Sequence, residues 1–455
     1  MKMFKLNGTF HQTLAVLAVV FSELCLGIGI GWLAPTLILL QKYNTHVILT
    51  LEECSWIASI EHFGKIFGAL TSALLVDVVG RKFLLTFTAF VFFIQWPIVI
   101  FAKSALALCA IRIIFGFSWG LFEGANTVYL GETCTPKMRS ILGTIAITAD
   151  YFAVMIELII ATYFSFTTTA VINSAITFLA FLSAFWLKEP AQFLLMKGNH
   201  DKALENLMWL RGVTDPNDVK TEFEEISQDV AKERSKKSSL KETLTAPANY
   251  KSVCLLVIIY GLVASAGYFP VMSYSAMFFS ETNVFTSKEL TILLGMSQFL
   301  VVCVTSFVID RFNRRSIIMI SFSIISLAHA GSALLYYVND KIYPVPYFSW
   351  LIFITMNIFV GVFAFMYPAI FLIRSELFPL SIKAVGGCSA IISFGVFSLL
   401  TTKMFISILT AFGIYVNFVI FSVISAALVI FVYFFLPETR NKSLIEIQKV
   451  WAKED

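Results

Sequence analysis

Charge is scarce in this chain. Only 14% of its 455 residues are Asp, Glu, Lys or Arg, against 58% hydrophobic residues and a mean hydropathy of +0.82. Soluble domains carry about 25% charged and under about 50% apolar residues, so this balance excludes a water-solvated globule. Cysteines are few and unpatterned. The seven of them (Cys25, Cys54, Cys109, Cys134, Cys254, Cys303 and Cys388) lie mostly inside apolar runs without paired spacing, which excludes a disulfide framework or a thiolate metal site. His62 and His329 have no second His or Cys at metal spacing and read as satisfied bundle histidines. No Gly-rich phosphate loop precedes a strand, and no nucleophile–base pair has a soluble fold to sit in. Neither an enzyme, a cofactor, a metal nor a nucleic-acid partner is expected.

What the chain has instead is long apolar runs. A membrane span needs roughly 20 apolar residues. By that measure the first half yields spans near 13–38, 55–76, 83–102, 105–130, 141–164 and 168–187. The second yields 252–280, 289–309, 316–338, 347–373, 384–410 and 412–436. The first run, from Thr13 to about Leu40, is too long for a secretory signal and has no small-x-small cleavage site. One polar stretch of domain-like length, Glu189–Tyr250, interrupts the series. Its Asp201–Arg211 segment has helical patterning, Glu222–Glu225 is acidic and Lys232–Lys241 is basic, so a partly helical linker is expected. The expected organisation is a first bundle over 1–188, the linker over 189–250, a second bundle over 251–436 and a tail over 437–455. Basic residues gather in one set of loops: Arg81, Lys82, Lys137, Arg139, the linker, Arg311, Arg314, Arg315, Lys383, Arg440 and Lys442. The positive-inside rule then puts both termini and the linker in the cytoplasm. The sequon at Asn7-Gly8-Thr9 faces the wrong side to be glycosylated.

One charged turn occurs twice. Asp77-Val78-Val79-Gly80-Arg81-Lys82 returns as Asp310-Arg311-Phe312-Asn313-Arg314-Arg315, each between two apolar spans. Glu132 with Arg139 is echoed by Glu376 with Lys383, the base seven residues after the acid in both. Glu189-Pro190 after the sixth span is echoed by Pro437-Glu438 after the twelfth. Three features recurring in one order predict two related six-helix bundles, an all-α membrane fold with internal pseudo-symmetry and a site between the halves.

These motifs resemble the sugar porter branch of the major facilitator superfamily, with a likeness to insect facilitated trehalose and glucose transporter-like proteins. The paired turns match its loop motif, with Asn313 in place of a glycine. Arg112, Gly116, Gly120, Tyr129, Glu132 and Arg139 match the fourth-helix signature. Glu189 with Phe193-Leu194-Leu195 matches the motif opening the central loop, though Lys188 and Ala191 replace its prolines. Glu376-Leu377-Phe378-Pro379 and Pro437–Leu444 match the second-half signatures. The resemblance implies twelve helices in two bundles and an alternating-access porter, monomeric in the bilayer of the plasma membrane. It also implies an inner gate of Asp77, Arg81, Glu132, Arg139 and Glu189 in one bundle. Asp310, Arg311, Arg314, Glu376, Lys383 and Glu438 would serve the other and bridge to the first. Exposed ion pairs are worth under about 1 kcal/mol each, but a partly shielded network can bias a two-state equilibrium.

At the positions the resemblance marks for sugar contact, the residues have changed. Ile147 stands for a glutamine, Val263 and Ala264 for two more, and Phe269 and Phe394 for asparagines. Phe371 replaces a tryptophan and Phe363 a polar residue; Gln298, Tyr274 and Pro368 are kept. A site that reads hydroxyls through paired polar groups loses discrimination when they go. Two readings stay open: a sugar held through other residues, or a less polar organic solute.

Ionisable residues inside the membrane are functional candidates. Glu61 and Lys65, four apart on the second helix, are placed to pair, with His62 beside them. Glu23, Arg112, Glu123 and Asp150 lie at depth, and Glu157 shares a helix face with Asp150. In proton-coupled members the resemblance places an aspartate near the arginine matched by Arg112; that position is Gly29 here, which favours uniport over proton symport. Gly64 with Gly68, and Gly27 with Gly31, read as close helix contacts. A transport-inactive nutrient sensor is a further alternative, disfavoured because its signalling tail is not evident in the short polar ends.

Overall fold

In lipid, an apolar run satisfies its backbone groups by closing them into a helix. A computed structural model describes residues 2–41, 48–235, 247–279, 285–377 and 380–438, and at Arg139, Asp310, Glu376 and Lys383 it describes the backbone alone. Twelve helices among the described residues are long and apolar enough to cross a membrane. They are Phe10–Leu40, Leu51–Val79, Arg81–Ile100, Ala105–Thr133, Ile141–Tyr163, Phe166–Ala184, Asn249–Phe278, Ser287–Val308, Arg314–Lys341, Phe348–Arg374, Gly386–Phe412 and Ile414–Phe435, hereafter spans one to twelve.

Span one packs along span five, two along four, and three along six. Each pairing recurs six spans later: seven with eleven, eight with ten, nine with twelve. The fold is therefore two pseudo-symmetric six-helix bundles. They meet along spans two and eleven and along spans five and eight.

The symmetry reaches the helix starts. Thr50 caps span two by accepting from the Glu53 N–H, while Glu53 takes the Thr50 N–H at 2.8 Å. Thr286 and Glu289 repeat this capping box at span eight, also at 2.8 Å. Both boxes are legible as Thr-x-x-Glu, and both moved the helix start ahead of the expected boundary.

Two spans are broken, and proline accounts for both breaks. Span one changes course at Trp32, because Pro35 has no N–H to return to the Gly31 carbonyl. Span seven breaks at Gly267, which takes φ +95°, and Pro270 leaves the Ala266 carbonyl without its helical donor. His329 of span nine fills that gap: its Nε2 donates to the Ala266 oxygen at 3.1 Å. Its Nδ1 is buried without a partner, and neither ring nitrogen of His62 is hydrogen-bonded, so the expectation of two satisfied histidines holds only for the Nε2 of His329.

The linker folds onto the first bundle. Helices Ala191–Met196, His200–Arg211 and Lys220–Ser235 bury a small core of Leu195, Ala203, Leu207 and Val219. Asn206 donates to the Glu189 carbonyl at 2.8 Å and Arg211 to the Thr133 carbonyl at 3.2 Å. His11 stacks on Trp209 with ring centroids 4.9 Å apart. Residues 236–241 of the basic run lie outside the described residues.

Candidate functional site

Small residues set up the site by letting backbones touch. A Cβ added at Gly116 of span four would lie 1.7 Å from the Glu61 carbonyl oxygen, and one at Gly120 would lie 2.1 Å from that of Lys65. Gly64 and Gly68 approach span four as closely from the other side. Such a seam draws two helices together in lipid, where apolar burial gives little preference. It also forces the polar side chains beside the glycines into one another.

The expected pairing of Glu61 with Lys65 is replaced by two cross-helix pairs. Arg112 of span four binds the Glu61 carboxylate and also donates to the Gly29 carbonyl at 2.9 Å. Lys65 lies 3.1 Å from Glu123 and 3.7 Å from the Trp119 ring centroid. Spacing of four put the two charges on one face; the touching fourth span offers each a nearer partner. Of the other ionisable groups, Asn126 donates to Glu23 at 3.3 Å and Asn173 donates to the fully buried Glu157 at 2.9 Å. Asp150 has one oxygen, Oδ1, buried without a hydrogen bond. The resemblance led to a first-helix carboxylate being sought for Arg112. The carboxylate is present, but it comes from the second span.

Between the bundles these groups line a cavity. Lys65 and Glu123 face it from the first half, and Tyr260, Tyr367, Phe371, Arg374, Ile391 and Phe394 from the second. Its free volume is about 10 Å³, room for about one water. This cavity by itself is too small to hold a sugar. Hydrogen bonds across the seam tie the halves together, Thr148 with Ser306 at 3.3 Å among them. Arg374 donates to Thr127 Oγ1 at 3.0 Å on the linker side. Lys403 donates to Ser55 Oγ at 2.7 Å on the far side, with its ammonium 4.1 Å from the Trp56 ring.

Of the positions marked by resemblance, Phe371 and Phe394 line the cavity. Phe269 sits at its rim, 5.7 Å from Phe394, 5.8 Å from Trp119 and 4.5 Å from His62 between ring centroids. Gln298 is fully buried, its Nε2 3.5 Å from the Met272 sulfur and its amide oxygen unpartnered. Tyr274 stacks on Phe405 with its hydroxyl unpartnered. Ile147 packs against Tyr151, Val302 and Ala364, and Pro368 sits within span ten. Val263 and Ala264 are buried in the core. Arg374 and Lys403 escaped the sequence reading. Each is a cation inside an apolar run, which is the signal that singled out Lys65 and Arg112.

The charged turns form a repeated clasp. Glu189 accepts the N–H groups of Arg81 at 2.6 Å and Lys82 at 3.3 Å, closing the N-terminus of span three. Glu438 accepts those of Arg314 at 3.0 Å and Arg315 at 3.2 Å, closing span nine. Arg81 donates to the Val76 carbonyl and Arg314 to that of Ile309, five residues back in each case. Arg81 also pairs with Asp77 at 2.7 Å and Glu132 at 2.8 Å. Gly80 adopts φ +100°, and a Cβ there would lie 2.9 Å from Glu189; Asn313 has φ −69°, so that turn has no need of glycine. Burial pushes the Glu189 carboxyl above its usual range, and the two N–H groups pull it back. The clasp contacts just given each lie within one half. Arg311 is exposed, and the side chains of Arg139, Asp310, Glu376 and Lys383 lie outside the described residues.

Comparison with known proteins agrees with this layout. Residues 14–451 match the family model described as "Sugar (and other) transporter". The chain is 24% identical to the facilitated trehalose transporter Tret1 of Apis mellifera ligustica, covering 97% of this chain and 88% of that one. With Tret1 of Culex quinquefasciatus it shares 26% identity over 97% of this chain and 86% of that one. Among solved structures it superposes on the proton:xylose symporter XylE bound to 6-bromo-6-deoxy-D-glucose, with a TM-score of 0.78 at 16% identity over 98% of this chain and 100% of that one. The chain is a member of the family of sugar (and other) transporters, and it is a transporter, not an enzyme.

Proposed function

We propose that the protein carries a sugar of the trehalose or hexose kind across the plasma membrane by alternating access, as a monomeric facilitative uniporter. The observation that carries this reading is the cavity at the seam, lined from both bundles in a chain that matches the family over residues 14–451. The names of its trehalose-transporting relatives support the substrate. The units that rock are residues 1–188 and 251–436, with the linker 189–250 and tail 437–455 on the cytoplasmic side. The clasps at Glu189 and Glu438 keep each bundle rigid as the seam opens.

Uniport is supported at Gly29, where Arg112 meets a backbone carbonyl and not a first-span carboxylate. Proton-coupled symport is the second reading, favoured by the carboxylate that Glu61 brings to Arg112 from span two. Uptake of labelled trehalose and glucose into vesicles holding the purified protein tests both. Saturable flux indifferent to an imposed pH gradient is expected. Flux that follows the gradient and falls on Glu23→Gln, Asp150→Asn or Glu61→Gln establishes symport instead, and no saturable flux of any sugar overturns the substrate assignment. A less polar solute would then be sought first, since rings of Phe269, Phe371 and Phe394 surround the seam.

A further inference from the structure

Most buried cations of this protein have an acid. Arg112 has Glu61, Lys65 has Glu123, and Arg81 has Asp77 and Glu132. Arg374 differs. It is 4% exposed in the tenth span, and no carboxylate among the described residues comes within ion-pair distance of it. A guanidinium offers five N–H donors. Among the described residues it makes one hydrogen bond, to Thr127 Oγ1 at 3.0 Å, and the group lies 4.7 Å from the Phe371 ring centroid. The rest of its donors belong to a residue lining the cavity at the seam.

We propose that the protein also takes sugars that bear an acidic group and that Arg374 receives that group. This deepens the porter reading and rests on it. The cavity is lined by two cations and one carboxylate, and that carboxylate, Glu123, is held by Lys65 at 3.1 Å and by the Trp119 N–H at 3.0 Å. Among the described residues Arg374 is thus the lining cation with no carboxylate at ion-pair distance. The planar fork of a guanidinium matches a carboxylate through two parallel hydrogen bonds, which a neutral hydroxyl cannot reproduce. Around it the aromatic walls, Tyr260, Phe371 and Phe394, suit a compact ring body. The same substitutions that remove hydroxyl-reading amides, at Ile147, Val263 and Ala264, leave the charge as the main polar handle. Sugar acids of the uronate type satisfy both demands. Thr127 belongs to the first bundle and Arg374 to the second, so an acid captured there engages one of the residues that tie the halves together.

The test uses the full chain in proteoliposomes with labelled D-glucose and D-glucuronate. Glucuronate is expected to be taken up saturably and to inhibit glucose uptake in the unaltered protein. Arg374→Gln is expected to lower the ratio of glucuronate to glucose flux roughly 10- to 100-fold, the scale of a charge-assisted hydrogen bond, and Arg374→Lys to restore part of it. Melting temperature and monodispersity accompany each variant, and the inhibition measurement needs no variant at all. Glucose flux that glucuronate neither joins nor inhibits overturns the acidic assignment while the porter reading stands. A flux ratio unchanged in Arg374→Gln overturns it as well. Movement of neither sugar overturns both readings together.

Discussion

Lys65 and Glu123 approach to 3.1 Å midway along two membrane-spanning helices, with the Trp119 ring beneath the ammonium at 3.7 Å. A buried pair of this kind is weak evidence of stability as a whole, yet removing one member strands the other charge. Glu123→Gln or Lys65→Met alone should therefore cost about 3–5 kcal/mol. The double variant should recover most of that loss. Melting curves of the purified protein in detergent complete the cycle; single losses that simply add in the double variant would show that the two charges act independently.

Backbone contact between spans two and four predicts a steep penalty for any side chain at Gly116 or Gly120. Their added Cβ atoms would fall 1.7 Å and 2.1 Å from carbonyl oxygens that belong to Glu61 and Lys65. Overpacking ordinarily costs about 1–3 kcal/mol, and here the obstacle is main chain, which cannot rotate aside. Gly116→Ala should reduce the monodisperse fraction in size-exclusion chromatography. Gly143→Ala is the control, since among the described residues its Cβ meets nothing within 4 Å.

At the break in span seven, His329→Leu should cost about 1–3 kcal/mol, the penalty of leaving a buried carbonyl unsatisfied. The Ala266 oxygen loses its 3.1 Å donor and Pro270 has no N–H to offer. His329→Gln can still donate and should lose less. Equal melting temperatures for the two variants would remove the hydrogen bond from the explanation.

Glu189 gives a pH dependence with a defined sign. Its carboxyl is raised in the clasped state, mainly by burial. A raised carboxyl binds its proton more readily folded than unfolded, so the stabilisation it supplies is present at low pH and fades as pH rises through the raised value. The melting temperature of the unaltered protein relative to Glu189→Gln should thus climb as pH is lowered from neutral toward the ordinary carboxylate range. A constant difference across that window would show the carboxyl to be unshifted.

The spans and their pairing into halves were legible because lipid imposes a length and a polarity that no soluble fold needs. The clasps were legible too, since Glu189 and Glu438 stand at matched places after spans six and twelve. Helix breaks and ion pairing were harder to see. Glu61 and Lys65 are four residues apart, a spacing that fits a pair, and only the depth of the Gly116 and Gly120 grooves reveals that Arg112 and Glu123 come nearer. Arg374 hid for a different reason: it lies one residue past the expected end of the tenth span at 373 and two before the Glu376-Leu377 motif. Its facing direction is set by how span ten is turned, which no local pattern states.

The hydrogen bonds that Asn206 and Arg211 make with Glu189 and Thr133, and the stacking of His11 on Trp209, join the linker helices to one half alone among the described residues. The chain is thus built as two halves of unequal mass, the first carrying the linker helices as extra weight. Cut after Ser235, it should yield two polypeptides that reassemble when co-expressed, with the linker helices copurifying with the first fragment.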